Sequence, residues 1–187
     1  MRDSSLKEII MSSETGVKST QGLYKLPVEI IASLLAVTTI FISMPPFNLP
    51  PWAIFIGWAG TFAAGGPTPT VLRKIWPVMP IGSLTALIIV LLTTYVSHYF
   101  TGHEFLIAEC VILFVGNGAQ MLLARIPALG LTFIPGMFFG FASYFATFFG
   151  GFGPTPHNPF AAFVAVVLMN ALGPVYAYLT AKLSAPH

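Results

Sequence analysis

The chain has 187 residues, and only 8 are Lys or Arg and 6 Asp or Glu, against the roughly 25% charged residues of an ordinary soluble domain. With 56% apolar residues, 17 phenylalanines and a mean hydropathy of +0.83, the composition excludes a soluble enzyme domain, a disordered chain and, for want of a basic run, a nucleic-acid binder. The single cysteine, Cys110, lies in an apolar run, so no intrachain disulfide, cysteine-based zinc site or iron–sulfur cluster can form, and neither metal nor cofactor is expected.

The first 25 residues hold seven of the charges, including Arg2, Lys7, Lys18 and Lys25, and form a polar tail. Within it Ser5-Leu6-Lys7-Glu8 has the pattern of a capping box leading into Ile9, Ile10 and Met11. Six apolar runs follow: Leu26–Met44, Trp52–Ala64, Val78–Phe100, Phe105–Leu123, Ala128–Phe149 and Phe160–Leu183. Their length and lack of alternation predict helices, since a bilayer core of about 30 Å needs roughly 20 helical residues and barrel strands would alternate. The first run stops at Pro45-Pro46 without a small-x-small cleavage site, so the tail is expected to stay attached.

The second run is short. It opens at Pro50-Pro51 and closes at Gly65-Gly66-Pro67, leaving about 20 Å of helix, less than the hydrocarbon thickness. The fifth is divided by Pro135-Gly136 and closes at Gly150-Gly151 and Pro154. Sliding the chain by 86 residues sets Phe55–Phe62 over Phe141–Phe148, so that Gly57 and Thr61 fall on Ser143 and Thr147, and Pro67-Thr68-Pro69 then finds a counterpart in Pro154-Thr155-Pro156. An odd number of spans repeated once enters the membrane upside down, so the expected fold is an all-α integral membrane protein of about six segments. The expected halves are residues 26–100 and 101–187, two inverted three-span repeats with interrupted second helices.

Lys and Arg all fall on one side of such a six-span arrangement: the tail, Arg73 and Lys74, Arg125, and Lys182. The positive-inside rule therefore predicts both termini in the cytoplasm. The opposite loops carry His98, His103, Glu104 and His157, and protonation of the three histidines near pH 6.5 can gate entry.

Glu109 lies four residues into the fourth run, where an ionised carboxylate costs about 2.5–3.5 kcal/mol at helix centre. Gly116 and Gln120 fall within about 20° of the same face and Asn117 beside it. This polar stripe belongs either to a solute or proton path or to a carboxylate held by His98, His103 or Glu104. Glu29, four residues after Lys25, reads instead as half of a surface ion pair. The small faces of the second helices, with Thr61, Ser143 and Thr147, serve close packing or line a narrow path together with Thr68, Thr155 and Asn170. Gly136 and Gly140 form a G-x-x-x-G. No catalytic signature is present, so an enzyme is not expected.

The stretch Phe133-Ile134-Pro135-Gly136-Met137-Phe138-Phe139-Gly140 resembles the F-[IV]-P-G-x-F-x-G segment of a family of small bacterial inner-membrane proteins known as domain of unknown function 1097. The resemblance extends over roughly Glu29 to Lys182. It implies a multi-span protein of the bacterial inner membrane and supplies no substrate and no catalytic residue.

The function expected is a channel or facilitator for a small neutral or weakly charged solute, acting in the lipid bilayer as a homo-oligomer built on its glycine faces. Two alternatives stand beside it: a proton-coupled secondary transporter using Glu109, and a non-transporting subunit that binds a partner. For the topology, an alkaline phosphatase fused after His187 should be inactive in a bacterial host and a green fluorescent protein fused there should fluoresce; the reverse pair of results would invert the orientation.

Overall fold

A computed structural model describes residues 25–185. The Ser5–Glu8 segment and the charges of Arg2, Lys7 and Lys18 lie outside the described residues. The described chain is all-helical, with six α-helices: α1 (Val28–Ile42), α2 (Pro51–Ala63), α3 (Pro69–Val96), α4 (Gly102–Leu123), α5 (Ile134–Phe149) and α6 (Pro159–Leu183). A short 3-10 turn, Pro127–Leu129, ends on Gly130 in the left-handed region at φ 65°. Three helices, α3, α4 and α6, are long and apolar enough to cross a membrane, and α1 and α5 are shorter apolar helices.

Helix ends follow the prolines and caps. Pro51 occupies the first turn of α2, where its missing N–H costs nothing. The Thr68 side chain caps α3 by accepting from the Val71 N–H at 3.3 Å. Asn158 caps α6 in the same way, accepting from Phe160 and Ala161. Gly65 and Gly66, at φ 111° and 89°, make the turn that a residue with a Cβ resists. Pro135 lies in the first turn of α5, so Pro135-Gly136 begins a helix and the preceding residues leave it.

The third span starts earlier than its apolar run. The helix begins at Pro69 and passes through Arg73, Lys74, Pro77 and Pro80 before the oily stretch. Pro77 removes the bond to the carbonyl four residues back, that of Arg73, and Arg73 and Lys74 lie on exposed turns where water can replace it.

α3 packs chiefly on α5, and α2 on α6. Both contacts are backbone to backbone. A Cβ on Gly82 would fall on the carbonyl of Met137, and one on Gly140 on that of Met79, while the Ser83 hydroxyl donates to the Gly140 carbonyl at 3.0 Å. In the other pair a Cβ on Gly57 would stand 2.7 Å from the Asn170 carbonyl, and Gly173 rests on the Gly57 backbone. α2 and α5 also touch, with Gly60 against the Phe139 ring and the Trp52 indole donating to the Thr147 hydroxyl at 3.3 Å. Since Trp52 starts α2 and Thr147 ends α5, the two run in opposite directions.

The buried residues of α2 are Ala53, Ile54, Gly57, Trp58, Gly60 and Thr61; those of α5 are Gly136, Met137, Gly140, Ser143, Tyr144 and Thr147. A shift of 83 residues pairs all of the first set but Trp58 with buried positions and superposes the helix starts Pro51 and Ile134, whereas the 86 of the sequence alignment pairs Ile54, Gly57, Trp58 and Thr61 with buried Gly140, Ser143, Tyr144 and Thr147. That alignment superposes the helix ends instead, Ala63 and Phe149, because α5 is three residues longer.

α1 and α4 are peripheral. α1 lies against α6 and α4 against α3, and within α4 only Gln120 is buried. The Ala185 N–H donates to the Leu26 carbonyl at 2.9 Å, joining the two ends of the described chain, while the Gly153 N–H donates to Asn48 at 2.8 Å, joining the α1–α2 and α5–α6 loops.

Adding one methyl at Gly82 or Gly140 drives carbon into backbone that no rotamer change can move. Gly82→Ala and Gly140→Ala should each lower stability by about 1–3 kcal/mol. Gly118→Ala, where nothing lies within 4 Å, should change it by less than about 0.5 kcal/mol. Thermal unfolding of the detergent-solubilised variants checks the contrast.

Candidate functional site

One side of α5 carries a ladder of rings. Phe141, Phe145 and Phe149 recur every four residues and Phe148 fills the next position around, so all four project to one face of a 3.6-residue helix. The rings touch in series: Phe141 and Phe145 edge to face at 4.8 Å, Phe145 and Phe149 stacked at 5.8 Å, Phe148 and Phe149 edge to face at 5.2 Å. This ladder forms one wall of a cleft of about 610 Å³, within the usual size of a small-molecule site.

The second wall is the end of α3, with Ile89, Val90, Thr93 and Thr94; the third is the beginning of α4, with Phe105, Glu109, Cys110 and Leu113. Glu109 is the eighth residue of α4, about 10 Å along its axis at 1.5 Å per residue. It is half-buried. Among the described residues no hydrogen bond reaches its carboxylate; the His98 ring turns back onto its own helix, its Nδ1 2.8 Å from the Thr94 carbonyl oxygen, and His103 and Glu104 are exposed. The cleft is therefore lined by one carboxylate, two threonines and a wall of phenylalanine rings.

The polar stripe of α4 faces α3. A Cβ on Gly116 would meet the Ile89 side chain at 2.7 Å, and Gln120 lines a neighbouring cleft of about 490 Å³ with Thr85, Ile89 and Leu92. Gln120 is fully buried, and neither of its side-chain polar atoms finds a partner; the Asn117 Oδ1 is likewise unpaired. Lys25 and Glu29 are both exposed at the entry to α1.

The central polar residues form a separate, buried cluster. Ser143 donates to the Asn170 Oδ1 at 3.1 Å, and the Asn170 Nδ2 is left without a partner. Thr147 donates to the Ser143 carbonyl at 2.7 Å and Thr61 to the Gly57 carbonyl at 2.7 Å, so both hydroxyls return to their own helix. All four side chains are buried in the described chain. Thr68 spends its oxygen on the α3 cap, and Thr155 is exposed in the loop after α5 beside Pro154. The structure thus brings Ser143, Thr147 and Asn170 together at the centre and sets Glu109 in a cleft apart from them, with Thr68 and Thr155 at the loops.

A second aromatic cleft, of about 480 Å³, lies between α1, α2 and α6 and is lined by Phe55, Trp58, Phe62 and Thr180 among others. Shifted by 83 residues, Trp58 and Phe62 fall on Phe141 and Phe145 of the α5 ladder, and Phe55 on Phe138, which lies outside it. It contains no carboxylate. The sequence reading found Glu109 but passed over the phenylalanines and Thr93 and Thr94. Their four-residue spacing was the signal.

Residues 29–185 match the family described as "Protein of unknown function (DUF1097)", and the chain belongs to that family. No curated protein and no solved structure matches it.

Ser143→Ala would leave both ends of the buried Asn170 amide without partners, a loss of about 1–3 kcal/mol. A thermal melt should show that loss, and Thr155→Ala, at an exposed position, should melt within about 0.5 kcal/mol of the parent.

Proposed function

We propose that this DUF1097 protein is a transporter of a small solute in the bacterial inner membrane, with the α3–α4–α5 cleft as its solute site and Glu109 as its protonatable group. The observation that carries this reading is the Glu109 carboxylate in an aromatic cleft of about 610 Å³, with no partner among the described residues. A charge at that depth is costly unless it is neutralised, and a proton or a solute can do so. Intramembrane carboxylates of this kind mark substrate and proton paths.

The scaffold proposed is six spans in two inverted halves, with both termini in the cytoplasm. Its support is the pairing of contacts, α3 with α5 and α2 with α6, the opposed directions of α2 and α5, and the shared 83-residue register of their buried faces. Inverted halves give a carrier two equivalent arrangements in which one half rocks against the other. A standing conduit between α2 and α5 finds less support, since the hydroxyls of Thr61 and Thr147 are buried and bonded to their own helices. Oligomerisation through α4 would cover its exposed side.

Proteoliposomes loaded with acetamide, methylammonium or acetate, with and without a pH gradient, test the proposal. Flux driven by the gradient for one of the three is expected, and Glu109→Gln should reduce that component at least tenfold while leaving the protein folded. Flux that needs no gradient and survives the substitution would replace the carrier by a facilitator. No flux for any solute would overturn transport and leave a partner-binding membrane subunit.

A further inference from the structure

We infer that the solute class of the α3–α4–α5 cleft is an organic monocation, held by the Glu109 carboxylate and the faces of Phe141, Phe145 and Phe149 and displaced by a proton at the same carboxylate; this rests on the transport reading above. The chemistry of the lining points one way. α5 brings only phenylalanines to the cleft, α3 only aliphatic residues and Thr93 and Thr94, and α4 brings Glu109 and Cys110 as its titratable groups. No Lys or Arg lines it. An anion would meet the Glu109 carboxylate with no Lys or Arg in the lining to offset the repulsion. A neutral solute would leave the ionised carboxylate uncompensated. A cation suits the carboxylate and the rings alike, since a positive charge within about 6 Å of a ring centroid is attracted by the ring, more strongly where water is excluded.

The size of the cleft narrows the class further. An inorganic cation would fill little of about 610 Å³ and would ask for oxygen ligands that a phenylalanine wall does not provide. An ammonium carrying apolar substituents buries them against the rings while its charge meets Glu109. Proton and cation compete for one carboxylate: at low pH the protonated form gives up the cation, and at higher pH the ionised form takes it. That exclusion couples the outward movement of one to the inward movement of the other without a second site.

The test is calorimetric binding to the full chain in nanodiscs, with empty nanodiscs as blank, using benzyltrimethylammonium as the cation, N-benzylacetamide as a neutral comparator and phenylacetate as the anion. Benzyltrimethylammonium should bind at least tenfold more tightly than either comparator, and its Kd should rise as the pH is lowered. Glu109→Gln should raise that Kd at least tenfold and abolish its pH dependence. Phe145→Leu, which keeps apolar bulk and removes the ring, should raise it about fivefold, with N-benzylacetamide changed less than twofold by either substitution. Comparison of the three probes on the unaltered chain stands even if a variant fails to fold. Equal binding of cation and neutral probe, or a cation Kd indifferent to Glu109→Gln in a folded variant, would overturn the inference and leave an apolar cleft for lipid chains. Glu109-dependent flux of a neutral solute without cation binding overturns the inference alone. Cation binding without flux of any solute overturns the transport reading alone.

Discussion

Two glycine-mediated crossings hold this structure. Within a bilayer the lipid is as apolar as the helices, so association depends on close van der Waals fit and on hydrogen bonds that only near approach permits. Gly82 and Gly140 let α3 and α5 meet at their carbonyls; Gly57 and Gly173 do the same for α2 and α6. Each crossing joins one helix from the first half of the chain to one from the second. Neither half can bury its glycine faces alone, so the halves assemble only by exchange. The consequence for the rest is geometric. α2 and α5 are drawn to the centre by their small residues, α3 and α6 brace them, and α1 and α4 are left outside, each leaning on one long helix. The clefts follow from that last fact, because a helix held along one side stands away from its other neighbours.

The central polar cluster has the same origin. Pro174 removes the helical bond to the Asn170 carbonyl, and that carbonyl is the atom against which Gly57 rests. A peptide oxygen freed in hydrocarbon needs a neighbour, and the bare glycine backbone is the only kind that can come close enough to offer a weak Cα–H contact. Ser143 then donates to the Asn170 side-chain oxygen. These residues look in sequence like a polar path. In the structure they form the joint where two helices lock.

Much of this was legible before any coordinates. Pro50-Pro51, Gly65-Gly66 and Pro135-Gly136 announced short second helices, and their bounds fall there because proline begins helices as readily as it breaks them. The start of α3 was hidden: Arg73, Lys74 and Pro77 read as a loop, although exposed helical turns tolerate both charge and a missing N–H. The register between α2 and α5 is not unique in sequence, since aromatic residues recur at several spacings in a phenylalanine-rich chain, and burial pairs Gly57 with Gly140 at one shift and with Ser143 at the other. Glu109 declared itself through cost, being a carboxylate inside an apolar run. The phenylalanine ladder did not, because on a helix that is apolar all round a stripe of rings has no polar contrast to mark it. The fate of the threonine hydroxyls was illegible for a further reason: whether a hydroxyl bonds back to its own turn or points into a cavity depends on what stands opposite.

The two clefts invite comparison because they share walls and differ in charge. Phe55, Trp58 and Phe62 line one with the spacing that Phe138, Phe141 and Phe145 keep on α5, yet Glu109 belongs to the other cleft alone. Glu29, near the start of α1, is exposed and does not line the second cleft. On the transport reading this asymmetry is useful. Two carboxylates, one in each cleft, would let two cations bind independently, and the proton gradient would lose its hold on the traffic between them. A single carboxylate forces every cycle through one group, which a proton or a cation can occupy but not both.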